Sequence, residues 1–169
     1  MEKHETKGVT ALQRAVQIGI VVRDLHRSTE LLSSIFGVGP FQFIEWPNRP
    51  DSQYWLRGCE EKVKFRQAFV QAGSLELELV QPLEGTSAYQ EFLQSHGEGI
   101  HHVLFETPDM DAALDEFARQ GIAVLQSGTG IRPGTRWALL DTQSLVGFFI
   151  ELRHRPGPSD GVSIPTGGA

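Results

Sequence analysis

The chain carries one segment twice, as QIGIVVRDLHRSTELLSSIFG from Gln17 and as HVLFETPDMDAALDEFARQG from His102. Setting Gln17 on His102 brings Ile18 onto Val103, Asp24 onto Asp109 and Leu25 onto Met110, and the second copy runs one residue shorter to its glycine. A chain doubled in this way is expected to fold as two like modules. Each copy opens with a polar residue at the head of an apolar strand. Burying such a group without a partner costs roughly 2–7 kcal/mol, so these strand heads are where function is to be sought.

Residues 16–22 and 100–106 read as strands, and each is followed by a helix. Asp24 and Asp109 stand where an N-terminal cap is wanted. Leu31, Leu32, Ile35 and Phe36 in the first copy, and Ala113, Leu114, Phe117 and Ala118 in the second, supply helical apolar spacing, and Gly37 and Gly121 end the helices. Strand candidates follow at 41–46, 53–57, 62–71 and 74–81, then at 123–126, 135–140 and 147–153. The expected fold class is α+β, with a βαβββ unit used twice. Modules 14–82 and 99–154 are joined by a short helix at 86–96, in which Ser87 and Gln90 have capping-box spacing and Gly97 follows as the stop. Residues 14–154 form the expected single domain. Residues 1–13 lack a sustained period and residues 155–169 are rich in Pro, Gly and Ser, so both are expected to be flexible tails.

Alternation places the polar groups. In SLELELVQ, Leu75, Leu77 and Leu79 share a helix-packed face, while Glu76, Glu78 and Val80 take the other. Val16, Ile18, Ile20 and Val22 lie opposite Ala15, Gln17, Gly19 and Val21. His102 shares a face with Ile100 and Leu104, and His101 joins Val103 and Phe105. Phe148, Ile150 and Leu152 make an apolar face, leaving Glu151 with Gly147 and Phe149. Each of four strands therefore presents one polar group, Gln17, Glu78, His102 or Glu151, and these converge if the strands line one concave sheet.

Composition sets modest limits. The 169 residues suit one domain with a proper core. A single cysteine, Cys59, excludes an intrachain disulfide and suits a reducing cytoplasm. The net charge of -6 and the scattering of the 15 Lys and Arg argue against nucleic acid. No run approaches a membrane span and the N-terminal segment does not read as a leader, so the expectation is a soluble cytoplasmic protein acting on a small molecule.

On these residues the chain resembles the vicinal oxygen chelate superfamily, also called the glyoxalase, bleomycin-resistance and extradiol dioxygenase superfamily. HGEGIHHVLFETPDMDAALDEFARQGI, FGVGPF and LELVQPL are similar to its methylmalonyl-CoA epimerase branch. The resemblance implies paired βαβββ modules forming a curled mixed sheet around a metal-binding cleft, with ligands on the first and last strand of each module. Here those positions are Gln17, Glu78, His102 and Glu151. The second histidine of the pair is the match, because His102 and Gln17 each stand seven residues before their Asp. The epimerase branch usually has His where this chain has Gln17. A Gln, Glu, His, Glu set instead resembles the eukaryotic type of lactoylglutathione lyase.

One imidazole, two carboxylates and an amide oxygen suit a divalent ion such as Zn, Co, Ni, Mn or Mg. Non-heme iron oxygen chemistry calls for two His and a carboxylate, and only one His stands at these positions. A Lewis-acid ion beside two carboxylates suits proton transfer next to a carbonyl. The resemblance makes Glu151 the expected base and Glu78 the group that returns a proton. The expected activity is that of an epimerase or isomerase on a 2-substituted acyl-CoA or a keto compound. The alternatives are a metal-free ligand-sequestering protein of the bleomycin-resistance type and a lactoylglutathione lyase.

Other residues carry weaker signals. His101 reads as structural, and Glu76 as a pocket-lining or interface carboxylate. Glu45 and Trp46 shape the substrate pocket or simply pack. Arg132 and Arg136 lie in GTGIRPGTR, either as an anion-binding loop over the site or as solvated surface. The GxG spacing there precedes no helix and does not suggest a nucleotide. Pairing of modules and open sheet edges lead to the expectation of a homodimer.

Overall fold

The repeat is visible first in how two helices begin. Asp24 caps α1 (Leu25–Phe36) by accepting from the Arg27 N–H at 3.0 Å, and Asp109 caps α3 (Met110–Arg119) by accepting from the Ala112 N–H at 2.9 Å. Gly37 and Gly121, with φ of 69° and 78°, take the left-handed conformation that ends each turn cheaply. Around these helices the chain forms β1 (Ala15–Val21), β2 (Gln42–Trp46), β3 (Tyr54–Leu56), β4 (Cys59–Glu60), β5 (Lys64–Ala72) and β6 (Leu75–Glu84). There follow α2 (Ala88–Ser95), β7 (Gly99–Glu106), β8 (Val124–Thr129), β9 (Arg136–Leu140), α4 (Gln143–Val146) and β10 (Phe149–His154). This computed structural model describes residue 12 and residues 14–156. The expected tails, apart from Leu12, Arg155 and Pro156, lie outside the described residues.

The described strands join one mixed sheet in the order β2-β5-β6-β1-β7-β10-β9-β8-β3-β4. Each module sets its first strand parallel to its last, β1 beside β6 and β7 beside β10, and the antiparallel pair β1–β7 joins the modules. Trp46 from one end of this order and Tyr54 from the other belong to one buried cluster, so the sheet curls until its ends meet. On the outer face, α1 packs Leu25 on Val22, Ala68 and Leu79, and α3 packs Met110, Ala113 and Phe117 on Ala138, Leu140 and Leu152.

Four features depart from the sequence reading. The strand expected at 53–57 leaves its own module: β3 pairs Tyr54, Trp55 and Leu56 with Gly128, Ser127 and Gln126 of β8 and covers that edge. A short apolar run has strand character but holds no information about which edge it will join. The helix α1 buries Leu25 and Thr29 with Leu32 half-buried, while Leu31, Ile35 and Phe36 of the expected face are exposed. The N-cap and the adjoining strand settle which stripe meets the sheet. The linking segment α2 also does more than link. Its Ala88, Tyr89 and Leu93 plug one end of the curl together with Tyr54, Phe65, Leu139 and Phe149.

The fourth departure bears on the site. Along β1 and β7 the register passes from Gly19 opposite His102 to Ile20 opposite Ile100, which leaves His101 as an extra residue in a β-bulge. A bulge interrupts the period of two, so both histidines turn inward and Ile100 turns out, 58% exposed. The expectation that His101 would share a face with Val103 and Phe105 is corrected by this extra residue.

Gly19 makes room for the result. A Cβ at position 19 would lie 1.9 Å from Cε1 of the His102 ring, and that ring is fully buried. Gly19→Ala should therefore destabilise the protein by about 1–3 kcal/mol or more, as overpacking does. Urea denaturation checks this; a change below about 0.5 kcal/mol would mean that the ring has somewhere else to go.

Candidate functional site

With one end of the curl plugged, the other is a cleft of about 930 Å³, open mouth included. Two rows of the sheet underlie it, of which Gln17, Glu78, Leu104 and Glu151 line the cleft while His102 lies beneath them. Leu104 pairs with both Gln17 and Glu151 in one row, and Gly19 pairs with both Glu78 and His102 in the next. Ile44, Trp46, Phe65, Phe69 and Trp137 form apolar wall, and Tyr89 of the plug closes the inner end.

Gln17, Glu78, His102 and Glu151 are all buried. His102 Nε2 lies 3.2 Å from Glu78 Oε2 and 3.3 Å from Glu151 Oε2. Despite this proximity, Nε2 and Glu151 Oε2 have no hydrogen-bond partner among the described residues. A buried polar atom left in that state costs about 1–3 kcal/mol. Donors bound at about 2.0–2.2 Å around one divalent ion sit roughly 3.0–3.4 Å apart, which matches both separations. Among the described residues no group of three or more His, Cys, Asp or Glu side chains is placed so that it could hold a metal ion. The donor set is nevertheless chemically suited to a divalent ion, with an imidazole, two carboxylates and an amide oxygen, two of whose buried atoms are unsatisfied.

Neighbouring groups hold these side chains in place. The Gln17 amide donates from Nε2 to Glu76 Oε1 at 2.7 Å, which is its one side-chain hydrogen bond among the described residues and leaves the carbonyl oxygen as a possible ligand. Gln67 donates from Nε2 to Glu78 Oε1, so the other Glu78 oxygen is the one facing His102. His102 Nδ1 lies 3.0 Å from His101 Nδ1, and only one of these nitrogens can carry the hydrogen. If Nε2 of His102 binds a cation, Nδ1–H of His102 must donate and His101 must accept. Burial, and then the adjacent His102, hold His101 well below the usual imidazole range, which keeps it neutral for that task. Its ring is packed against Tyr89, Phe92 and Phe149.

The weaker candidates separate. Trp46 and Arg132 line the cleft. Glu45 is exposed and accepts from Arg66 at 2.8 Å, and Arg136 donates to Asp111 at 3.1 Å; neither lines the cleft. Glu76 does line it. Sequence reasoning missed Gly19, Gln67, Tyr89 and Arg153. Only Gln67 and Arg153 carried a usable signal, each being a polar residue at an inward position of a strand.

Burial, reinforced by Glu78 and opposed by His102, raises the Glu151 carboxyl from its ordinary 4.5 to about 7. Burial alone would lower His102, but Glu151 and Glu78 outweigh it and hold the imidazole above its ordinary 6.5. For the metal-free protein the two shifts act in the same direction. Between pH 4.5 and 7 the unfolded chain releases the Glu151 proton while the folded one keeps it, so stability falls as pH rises. The His102 contribution is complete below 6.5 and is lost as pH climbs through its raised value. Glu91 and Glu116 are shifted below 4.5 and act in a lower window. Urea midpoints of chelator-treated protein should drop between about pH 5 and 7.5, and Glu151→Gln should flatten that slope. A midpoint that rises across this range would contradict the site electrostatics.

The family model described as the glyoxalase/bleomycin resistance protein/dioxygenase superfamily matches residues 16–138. An uncharacterised protein of Bacillus subtilis, YqjC, is 30% identical over 101 residues, which is 57% of this chain and 70% of that protein. A variant of Streptomyces coelicolor methylmalonyl-CoA epimerase in complex with 2-nitronate-propionyl-CoA is similar with a TM-score of 0.63 and 25% identity, covering 87% of this chain and 100% of that one. The Mycobacterium tuberculosis methylmalonyl-CoA epimerase shares the fold with a TM-score of 0.61 at 21% identity, over 90% of this chain and 95% of that one. With its doubled module, curled sheet and inward polar floor, the chain belongs to the glyoxalase/bleomycin resistance protein/dioxygenase superfamily.

Proposed function

We propose that the protein is a metal-dependent isomerase that removes and returns a proton on the carbon next to a carbonyl. Its substrate would be a small metabolite, a 2-substituted acyl-CoA or a keto compound. The observation that carries this reading is the approach of Glu78 and Glu151 to the same His102 nitrogen from opposite sides of the β1–β7 pair. The likeness to methylmalonyl-CoA epimerases supports it.

Gln17, Glu78, His102 and Glu151 would hold the divalent ion. When bound, the ion supplies Lewis acidity toward a substrate carbonyl oxygen. Glu151 takes the proton from the neighbouring carbon, as a positioned carboxylate within reach of it can. Glu78, reaching the cleft from the other module, returns a proton to the opposite face of the planar enolate. Burial, helped by the Glu151 and Glu78 charges, pushes the Tyr89 hydroxyl well up, so Tyr89 stays neutral and can donate a hydrogen bond beside them.

Deuterium wash-in at the carbon next to the carbonyl, followed by NMR on candidate acyl-CoAs and keto acids, tests the proposal. Glu151→Gln should slow wash-in by about 10²–10⁴-fold, and His102→Ala should lower metal content on purification without chelator. Full exchange in Glu151→Gln would remove it as the base. Wild-type protein that binds a ligand yet exchanges no proton and holds no metal would point instead to sequestration.

The homodimer belongs to the same proposal. Leu31, Ile35 and Phe36 on α1 and Phe43 on edge strand β2 are exposed, which supports a covering partner. Analytical ultracentrifugation should give a dimer at micromolar concentration, shifted toward monomer by Phe36→Asp.

A further inference from the structure

The cleft floor is acidic, yet three arginines also reach the cleft: Arg132, Arg153 and Arg155. Arg153 follows Glu151 by one inward position on β10, so its guanidinium lies next along the floor. Its side chain is only 15% exposed. Nη2 lies 3.1 Å from Glu106 Oε1 and Nη1 lies 4.0 Å from Glu76 Oε1, but Nε is buried with no hydrogen-bond partner among the described residues. Both carboxylates are already shared. Glu106 Oε1 also pairs with Arg155 Nε at 3.4 Å, and Glu76 Oε1 accepts from the Gln17 amide at 2.7 Å.

Glu106 is thus divided between Arg153 and Arg155, and Glu76 between Arg153 and Gln17, while Arg132 reaches the same cleft. The crowding is felt at Arg155, where burial and then the charges of Arg153 and Arg132 lower the guanidinium from its ordinary value. A guanidinium offers a planar fork of donors that carboxylate or phosphate oxygens match two at a time. An Arg that merely neutralised its neighbours would have no reason to keep a donor buried and unspent at the edge of a cleft.

We propose that Arg153, flanked by Arg132 and Arg155, seats an anionic group of the ligand, a carboxylate or a phosphate, whose carbonyl end lies against His102, Glu78 and Glu151. This rests on the isomerase reading of the site and narrows its substrate class. The ligand carries an anion within reach of the reacting carbon, with its apolar part against Trp46 and Trp137. Neutral keto compounds are then poor substrates.

Trp46 and Trp137 line the same cleft, so tryptophan fluorescence of the full-length protein reports occupancy. Malonate, inorganic phosphate and neutral dimethyl malonate are titrated into wild type, Arg153→Gln, Arg153→Lys and Arg155→Gln. At least one anion should saturate the wild type while the diester does not. Arg153→Gln should weaken that anion by about tenfold or more, and Arg153→Lys by less. Arg155→Gln, at a more exposed position, guards against misfolding of the first variant and should weaken binding severalfold. The tighter anion identifies the source chemistry. Failure of both anions to bind, equal binding of the diester, or wild-type affinity in both Gln variants would overturn the proposal.

A second readout separates this idea from the one beneath it. In the wash-in assay, the ratio of kcat/KM for a carboxylated over a neutral 2-substituted thioester should fall about tenfold in Arg153→Gln. An unchanged ratio with normal wild-type wash-in overturns the anion subsite alone. Saturable anion binding without wash-in on any substrate overturns the isomerase reading and leaves an anion-binding cleft.

Discussion

The structure turns on the seam between β1 and β7. There two like modules meet antiparallel, and Gly19 and His102 face each other across the ladder. The missing side chain at Gly19 is filled by the imidazole, and the adjacent bulge turns His101 inward beside it. Any side chain at position 19 would collide with the ring, and a regular ladder would send His101 to the outer face. A local loss of regularity thus puts two buried histidine rings in contact, with one nitrogen left to face Glu78 and Glu151.

Around the seam the curl is divided between packing and chemistry. At one end α2 and β3 enter it, and Tyr54, Phe65, Tyr89 and Phe149 pack there in one buried cluster. There Gln126 Oε1 accepts from the Tyr54 hydroxyl and from the Ala88 N–H at 3.0 Å, while Gln126 Nε2 and His101 Nε2 have no partner among the described residues. At the other end Glu151 and Arg153 in the cleft, and His102 beneath it, keep buried atoms without partners among the described residues. Unsatisfied groups are rare in folded interiors. They occur at both ends of the curl, and at the open end they coincide with the carboxylates Glu78 and Glu151 that line the cleft.

Much of the frame was legible in the chain. The doubling, the two aspartate caps and the terminating glycines are local, being set by hydrogen bonds within a turn of helix, and they stand as read. Period-two alternation also placed Gln17, Glu78, His102 and Glu151 on inward positions of four strands that prove adjacent. Where local patterns had two outcomes, sequence reading fell short. The apolar residues of α1 offered two stripes, 53–57 offered two edges, and the pair His101–His102 concealed a bulge that alternation has no means of registering. Arg136 and Arg132 looked alike in one loop, yet Arg136 pairs with Asp111 and only Arg132 reaches the cleft.

The sequence by itself determined the two modules, their capped helices and the four polar residues on the inner face. Each of these follows from contacts between residues close along the chain, or from a period that the backbone imposes. Only the tertiary structure decided that α2 and β3 would plug one end of the curl, that His101 would brace His102, and that Arg153 would lie beside Glu151 with a donor unspent. Those outcomes depend on which distant strands pair and in what register, and the free energy of that choice is shared across the whole sheet rather than held by any one segment.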